Sequence, residues 1–134
     1  MLGDKLGRAS GKVVAQRVLR EGTTGIKLET TIDTHGKLLG VDIHERGTYF
    51  AVMRPDGTLY GEGQGLITGK SGEMTTWLAS GVGTMRKDGG VNFRGAVYYQ
   101  TNTPKWLRLN SVAAVYEYSA DAKGRTKADI WEWK

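Results

Sequence analysis

LYGEGQGLITG, residues 59–69, places four glycines in one short run. Three of them, Gly61, Gly63 and Gly65, alternate strictly with Tyr60, Glu62, Gln64 and Leu66. The run is either a loop that cradles phosphate or a strand that carries glycine on one face. A dinucleotide fingerprint needs G-x-G-x-x-G at a strand-to-helix turn. Here Leu66 stands where the third glycine belongs. A P-loop needs G-x-x-x-x-G-K-[ST]. GKS occurs at 69–71, but the first glycine would fall on Gln64. No helical period follows either pattern, so the strand reading stands.

Working outward, turn signals recur at DTHGK (33–37), RPDGT (54–58), TGKSGE (68–73), RKDGG (86–90), TNTPK (101–105) and DAKGR (121–125). Alternating segments fill the gaps between them, as in successive hairpins. Strands are expected near 11–19, 25–32, 37–43, 47–54, 58–67, 73–85, 91–101, 111–119 and 126–133. The best helical candidate is short, at 105–112. Eight or nine sequential strands cannot stay flat without exposing long edges. The expected fold is all-β: an antiparallel up-and-down meander barrel with little or no helix. It forms one domain, 1–134, with residues 1–10 loosely held.

The turns also predict registers. A left-handed Gly57 sets Tyr49 opposite Gly63. A turn centred on Lys70 sets Gly63 opposite Trp77, and one centred on Asp88 sets Trp77 opposite Tyr99. All three put the odd-numbered positions on one apolar face, with rings beside glycines. That face is expected inward, where Tyr49, Met53, Trp77, Phe93 and Tyr99 would line a cavity. The inverse assignment gives a polar lumen containing Glu62, Gln64, Arg94 and Tyr98.

The chain has 134 residues, 39% of them hydrophobic, which suits one core. Cysteine is absent, which excludes disulfides, thiolate metal sites and a cysteine nucleophile. The N-terminal MLGDKLGRASGKVV lacks the apolar run of a signal peptide, and no segment has the length to span a bilayer as a helix. A cytoplasmic protein without a membrane partner is expected. The formal charge is +5, but Lys and Arg are dispersed among turns. Nucleic acid is therefore not the expected partner, although VNFRGAVYYQ interleaves rings with Arg94.

Other chemistry is thinly signalled. His44 lies near Asp42 and Glu45, but in DIHE alone no second histidine supports a metal site. His35 reads as a turn residue. Neither a metal nor a cofactor is expected. Ser80 lacks the flanking glycine of a nucleophile elbow. Glu62 and Glu117 are mid-strand carboxylates that alternation turns outward, unless the inverse assignment holds. Trp131 and Trp133 alternate with Ile130 and Glu132 in a closing strand.

The stretches GTLYGEGQG (57–65), GVG (81–83), FRGAVYYQT (93–101) and WEWK (131–134) resemble a group of short bacterial all-β proteins of unassigned activity. In architecture the chain resembles the calycin-like barrels, among them the lipocalins and the allene oxide cyclase-like barrel. That resemblance implies a barrel holding small apolar molecules, and in a few members isomerising or cyclising them.

The leading expectation is a barrel that binds a small apolar or amphipathic ligand, with binding favoured over catalysis. The first alternative is an isomerase or cyclase in a polar lumen, with Glu62 as base and Arg94 or Tyr98 stabilising negative charge. The second is an interaction module without a small ligand, its mixed face covered in a homodimer.

Overall fold

The computed structural model describes residues 2–23 and 25–134. Eight strands follow in order: β1 Leu2–Glu21, β2 Gly25–Leu38, β3 Val41–Met53, β4 Leu59–Gly69, β5 Met74–Met85, β6 Val91–Thr101, β7 Ala114–Ala120 and β8 Arg125–Trp133. Each pairs antiparallel with its sequence neighbour, and β1 pairs with β8 to close the barrel. Closure removes the two edges that an open meander would expose.

One turn device recurs in four hairpins, three on one rim and one, at 69–73, on the other. Arg54 N–H donates to Thr58 O (2.8 Å) and Gly57 N–H to Arg54 O (2.9 Å), with Gly57 at φ 87. This is a type I turn followed by a left-handed glycine, which matches the strand twist. The same pair of bonds recurs at 69–73, 86–90 and 121–125. In TGKSGE the left-handed residue is Gly72, so the turn centres on Ser71 rather than Lys70. Gly65, not Gly63, therefore faces Trp77. The slip is two residues, so every side chain keeps its face. The other expected pairings, Tyr49 with Gly63 and Trp77 with Tyr99, are observed.

DTHGK is not a turn. Residues 33–37 run on inside β2, and the chain reverses at Leu39 and Gly40, both with positive φ (47 and 78). Leucine is a poor choice for that conformation. Tertiary contacts hold it: Leu39 N–H donates to Leu6 O (2.8 Å), and its side chain packs on the core. The expected strands 25–32, 37–43 and 47–54 thus merge into two long ones. Of the residues expected to be loosely held, 2–10 lie within β1 and Met1 lies outside the described residues. Residues 7–12 pair with β2 on one side and β8 on the other. A reading built on successive hairpins cannot see a strand whose second partner, as in Leu2 with Trp133, lies at the far end of the chain.

The odd-numbered face of β3–β6 points inward, as expected, with Leu59, Ile67, Phe93, Val97 and Tyr99 buried. One end of the barrel is plugged by the expected short helix, a 3₁₀ helix at Pro104–Ser111. Pro104 opens it, where the missing N–H costs nothing. Its Trp106 and Leu109 are completely buried among Leu6, Leu38, Ile43, Ile67 and Ala114. Polar clamps tie it to the wall. The Asn110 amide donates to Thr101 O (2.9 Å) and accepts from Thr101 N–H (2.8 Å), while Lys105 Nζ meets Glu73 at 3.0 Å. Glycine-assisted turns form the opposite rim.

Candidate functional site

Above the helical plug the lumen retains a cavity of about 100 Å³. Tyr49, Trp77, Phe93 and Tyr99 all line it. The glycine run explains how the rings fit. A Cβ added at Gly65 would strike the indole of Trp77, and one at Gly47 would meet the same ring at 2.7 Å. A Cβ at Gly63 would press on Tyr49 at 2.8 Å. The bare backbone of β3 and β4 is thus a seat for the Trp77 indole, which covers the barrel wall without filling its centre.

Three polar lining groups were not foreseen from sequence: Glu45, Tyr116 and Tyr118. Glu45 lies opposite Thr34 on β2 and Ile67 on β4. It has the same parity as Tyr49, so extending the odd face two rungs would have found it. The misplaced turn at 33–37 had shortened β3 and cut those rungs off. Thr34 Oγ1 donates to Glu45 Oε1 at 2.9 Å. Burial pushes the Glu45 carboxyl above its usual range, and the Thr34 bond and the nearby Trp77 indole N–H pull weakly the other way. The indole N–H stays outside hydrogen-bond geometry and has no partner. Tyr49 and Tyr118 share a hydrogen bond between hydroxyls (3.1 Å), and the Tyr116 hydroxyl donates to Ser80 O (3.3 Å). Burial raises all of these phenols, Tyr116 to about 12, so they are neutral hydrogen-bonding groups at ordinary pH.

Met53, expected with the lining rings, is the last residue of β3 and is 60% exposed beyond the cavity. The residues of the polar-lumen alternative lie on the outer face. Glu62 accepts from the Tyr60 hydroxyl (2.6 Å) in solvent. Arg94 is 80% exposed and 3.8 Å from Glu117, and Tyr98 is also exposed. Strand alternation puts them there, because their odd-numbered neighbours fill the lumen. Glu45 carries the buried carboxyl of the cavity; Glu62 also borders the cavity but turns its carboxyl outward to Tyr60.

A second cluster sits on the outside of the same wall. His35 and His44 are directly opposed on β2 and β3, with rings stacked at 4.5 Å and 12°. Asp33 Oδ1 lies 2.7 Å from His44 Nε2 and 3.9 Å from His35 Nε2. The hydrogen bond from His44 holds the Asp33 carboxyl below its usual range. The second histidine that DIHE lacked in sequence thus arrives across the ladder. Reading 33–37 as a turn concealed it.

No family model matches the chain, and no curated protein sequence matches it. Solved structures do. The fold is similar to that of a conserved protein of unknown function from Rhodopseudomonas palustris, with TM-score 0.84 and 16% identity over 98% of this chain and 97% of that one. A β-barrel-like protein from Acinetobacter baumannii gives 0.80 and 17% over 98% and 94%. An enzyme from Penicillium herquei gives 0.67 and 18% over 96% and 92%. At these identities the likeness establishes the closed antiparallel barrel. Among the described residues no helix is long and apolar enough to cross a membrane.

Proposed function

We propose that the barrel binds a small, largely apolar molecule of about one ring in size, with one polar atom turned toward Glu45 and Trp77. The observation that carries this reading is a cavity with apolar walls that holds two underused polar groups. One is a desolvated carboxyl and the other an unpartnered indole N–H. Leaving the indole N–H buried without a partner costs about 1–3 kcal/mol, and Glu45 has only Thr34 as a side-chain partner. A ligand carbonyl oxygen would accept from the indole N–H and from the Glu45 carboxyl in its protonated form, which burial favours. The space is of the order that accommodates a single ring, since a cavity of about 150 Å³ holds benzene. The absence of cysteine supports a reducing, cytoplasmic setting. Mass spectrometry of gently extracted protein tests the reading. A stoichiometric small neutral molecule is expected, and it should be lost when Trp77→Phe removes the indole N–H. Protein that carries nothing and shows no saturable binding of single-ring ketones would overturn it.

The raised carboxyl also favours an isomerase or cyclase. As a carboxylate, Glu45 would take a proton from carbon beside a carbonyl, while the Trp77 N–H steadies the enolate oxygen. The same carboxyl would return the proton at another carbon, so the step balances without a co-reactant. The fungal neighbour described as an enzyme supports considering catalysis on this fold. Deuterium uptake from solvent into a β,γ-unsaturated cyclic ketone should occur with the native chain and vanish in Glu45→Gln. Equal uptake in both proteins would remove this reading.

A further inference from the structure

We propose that Asp33, His35 and His44 form a binding site for a divalent transition-metal ion on the outer face of the barrel. Each residue offers one ligand atom, and these atoms lie within 4.8 Å of one another. Metal–ligand bonds of about 2.0–2.2 Å put neighbouring ligand atoms about 3–3.6 Å apart. The observed separations from Asp33 Oδ1, 2.7 Å and 3.9 Å, bracket that spacing. Small rotations of these half-buried and exposed side chains close the difference.

The placement is rigid where it matters. Asp33 and His35 share one face of β2, and His44 faces His35 directly from β3. Continuous ladder pairing from Lys27 with Val52 to Leu38 with Val41 fixes both backbones. The site therefore does not have to fold around the ion, and little ordering entropy opposes binding. Two imidazoles and one carboxylate suit Zn²⁺, Ni²⁺ or Cu²⁺, whereas Mg²⁺ and Ca²⁺ prefer oxygen ligands. The remaining coordination positions open onto a groove lined by Asp42, Thr68 and Lys70, with room for water or a co-ligand. Arg46, opposite Asp33, is the cation that an ion would displace from the aspartate's field. Between the two metal-facing rungs lies the Thr34–Glu45 rung, whose side chains point into the lumen. The two clusters thus stand back to back on one ladder.

Calorimetric titration of tag-free, chelator-treated protein with ZnCl₂ tests the site, with MgCl₂ as the control ion. One equivalent of Zn²⁺ should bind, and Mg²⁺ should not bind at the same concentrations. His35→Asn and His44→Asn should each weaken Zn²⁺ at least about tenfold. Both histidines sit outside the core, so the metal-free melting curves of these variants should match the parent. The chain has only two histidines, so their ring proton signals report the site directly. Both should shift or broaden with Zn²⁺ and stay unchanged with Mg²⁺. Absence of stoichiometric Zn²⁺ binding would overturn the proposal. So would binding that survives His35→Asn, or that leaves either ring signal unmoved.

Discussion

The plugged end of the barrel and the middle of its lumen are built from the same kinds of residue but packed to different ends. At the plug, Trp106 and Leu109 are fully buried, and leucine, isoleucine and alanine fill the space around them. In the middle, Trp77 is pressed against the bare backbone of Gly47 and Gly65, and the centre stays open. One tryptophan closes a core and the other lines a cavity. The difference teaches that stability and binding are separated along the barrel axis. Stability should follow the plug, and ligand chemistry should follow Glu45, Trp77 and the tyrosines.

Substitutions can break that separation. Trp106→Ala should cost the most, about 3–5 kcal/mol by urea unfolding, because it empties a site with no exposed surface. Trp106→Phe should cost less and leave lumen binding intact. If it abolished binding while the chain stayed folded, the two regions would not be separate. Gly65→Ala comes next, at about 1–3 kcal/mol, because its methyl must displace the Trp77 indole into the cavity. The same variant should lose lumen ligands, which Trp106→Phe should not.

Glu45→Gln sharpens the comparison through pH. The folded carboxyl titrates above its unfolded value of about 4.5, so the native state holds the proton more tightly. Stability is therefore complete below that value and falls as pH rises through the raised folded value. Glu45→Gln should flatten this part of the curve and melt a few degrees higher at neutral pH. Melting curves of the two proteins that stay parallel across this range would contradict the burial of Glu45. The smallest effect is expected at Glu62→Gln, on the outer face of the glycine-rich strand. It should change stability by no more than about 0.5 kcal/mol and leave binding unchanged.

Much of this was legible in the residues, and most of the failures trace to one hidden turn. Alternation in β4–β6 gave the inward face correctly because glycines and rings segregate by parity there. The RPDGT and RKDGG turns gave correct registers because aspartate and a left-handed glycine, joined by proline in the first, define that turn chemically. The Leu39–Gly40 reversal carries no such signature, since tertiary contacts impose it on a leucine. That one hidden turn split β2 and β3, removed Glu45 from the lumen face and parted His35 from His44. Tyr116 and Tyr118 were missed differently. Their strand β7 follows the 3₁₀ helix rather than a tight turn, so no hairpin register tied it to the inward face of β6.

The central claim is that the lumen receives a small apolar molecule whose polar atom meets the Trp77 indole N–H. Two-dimensional ¹H–¹⁵N NMR tests it most directly, by titrating acetophenone and following the four indole N–H resonances. The Trp77 resonance should shift saturably, while those of Trp106, in the plug, and the exposed Trp133 remain in place. A Trp77 resonance that never moves, or moves only in step with Trp133, would contradict the account.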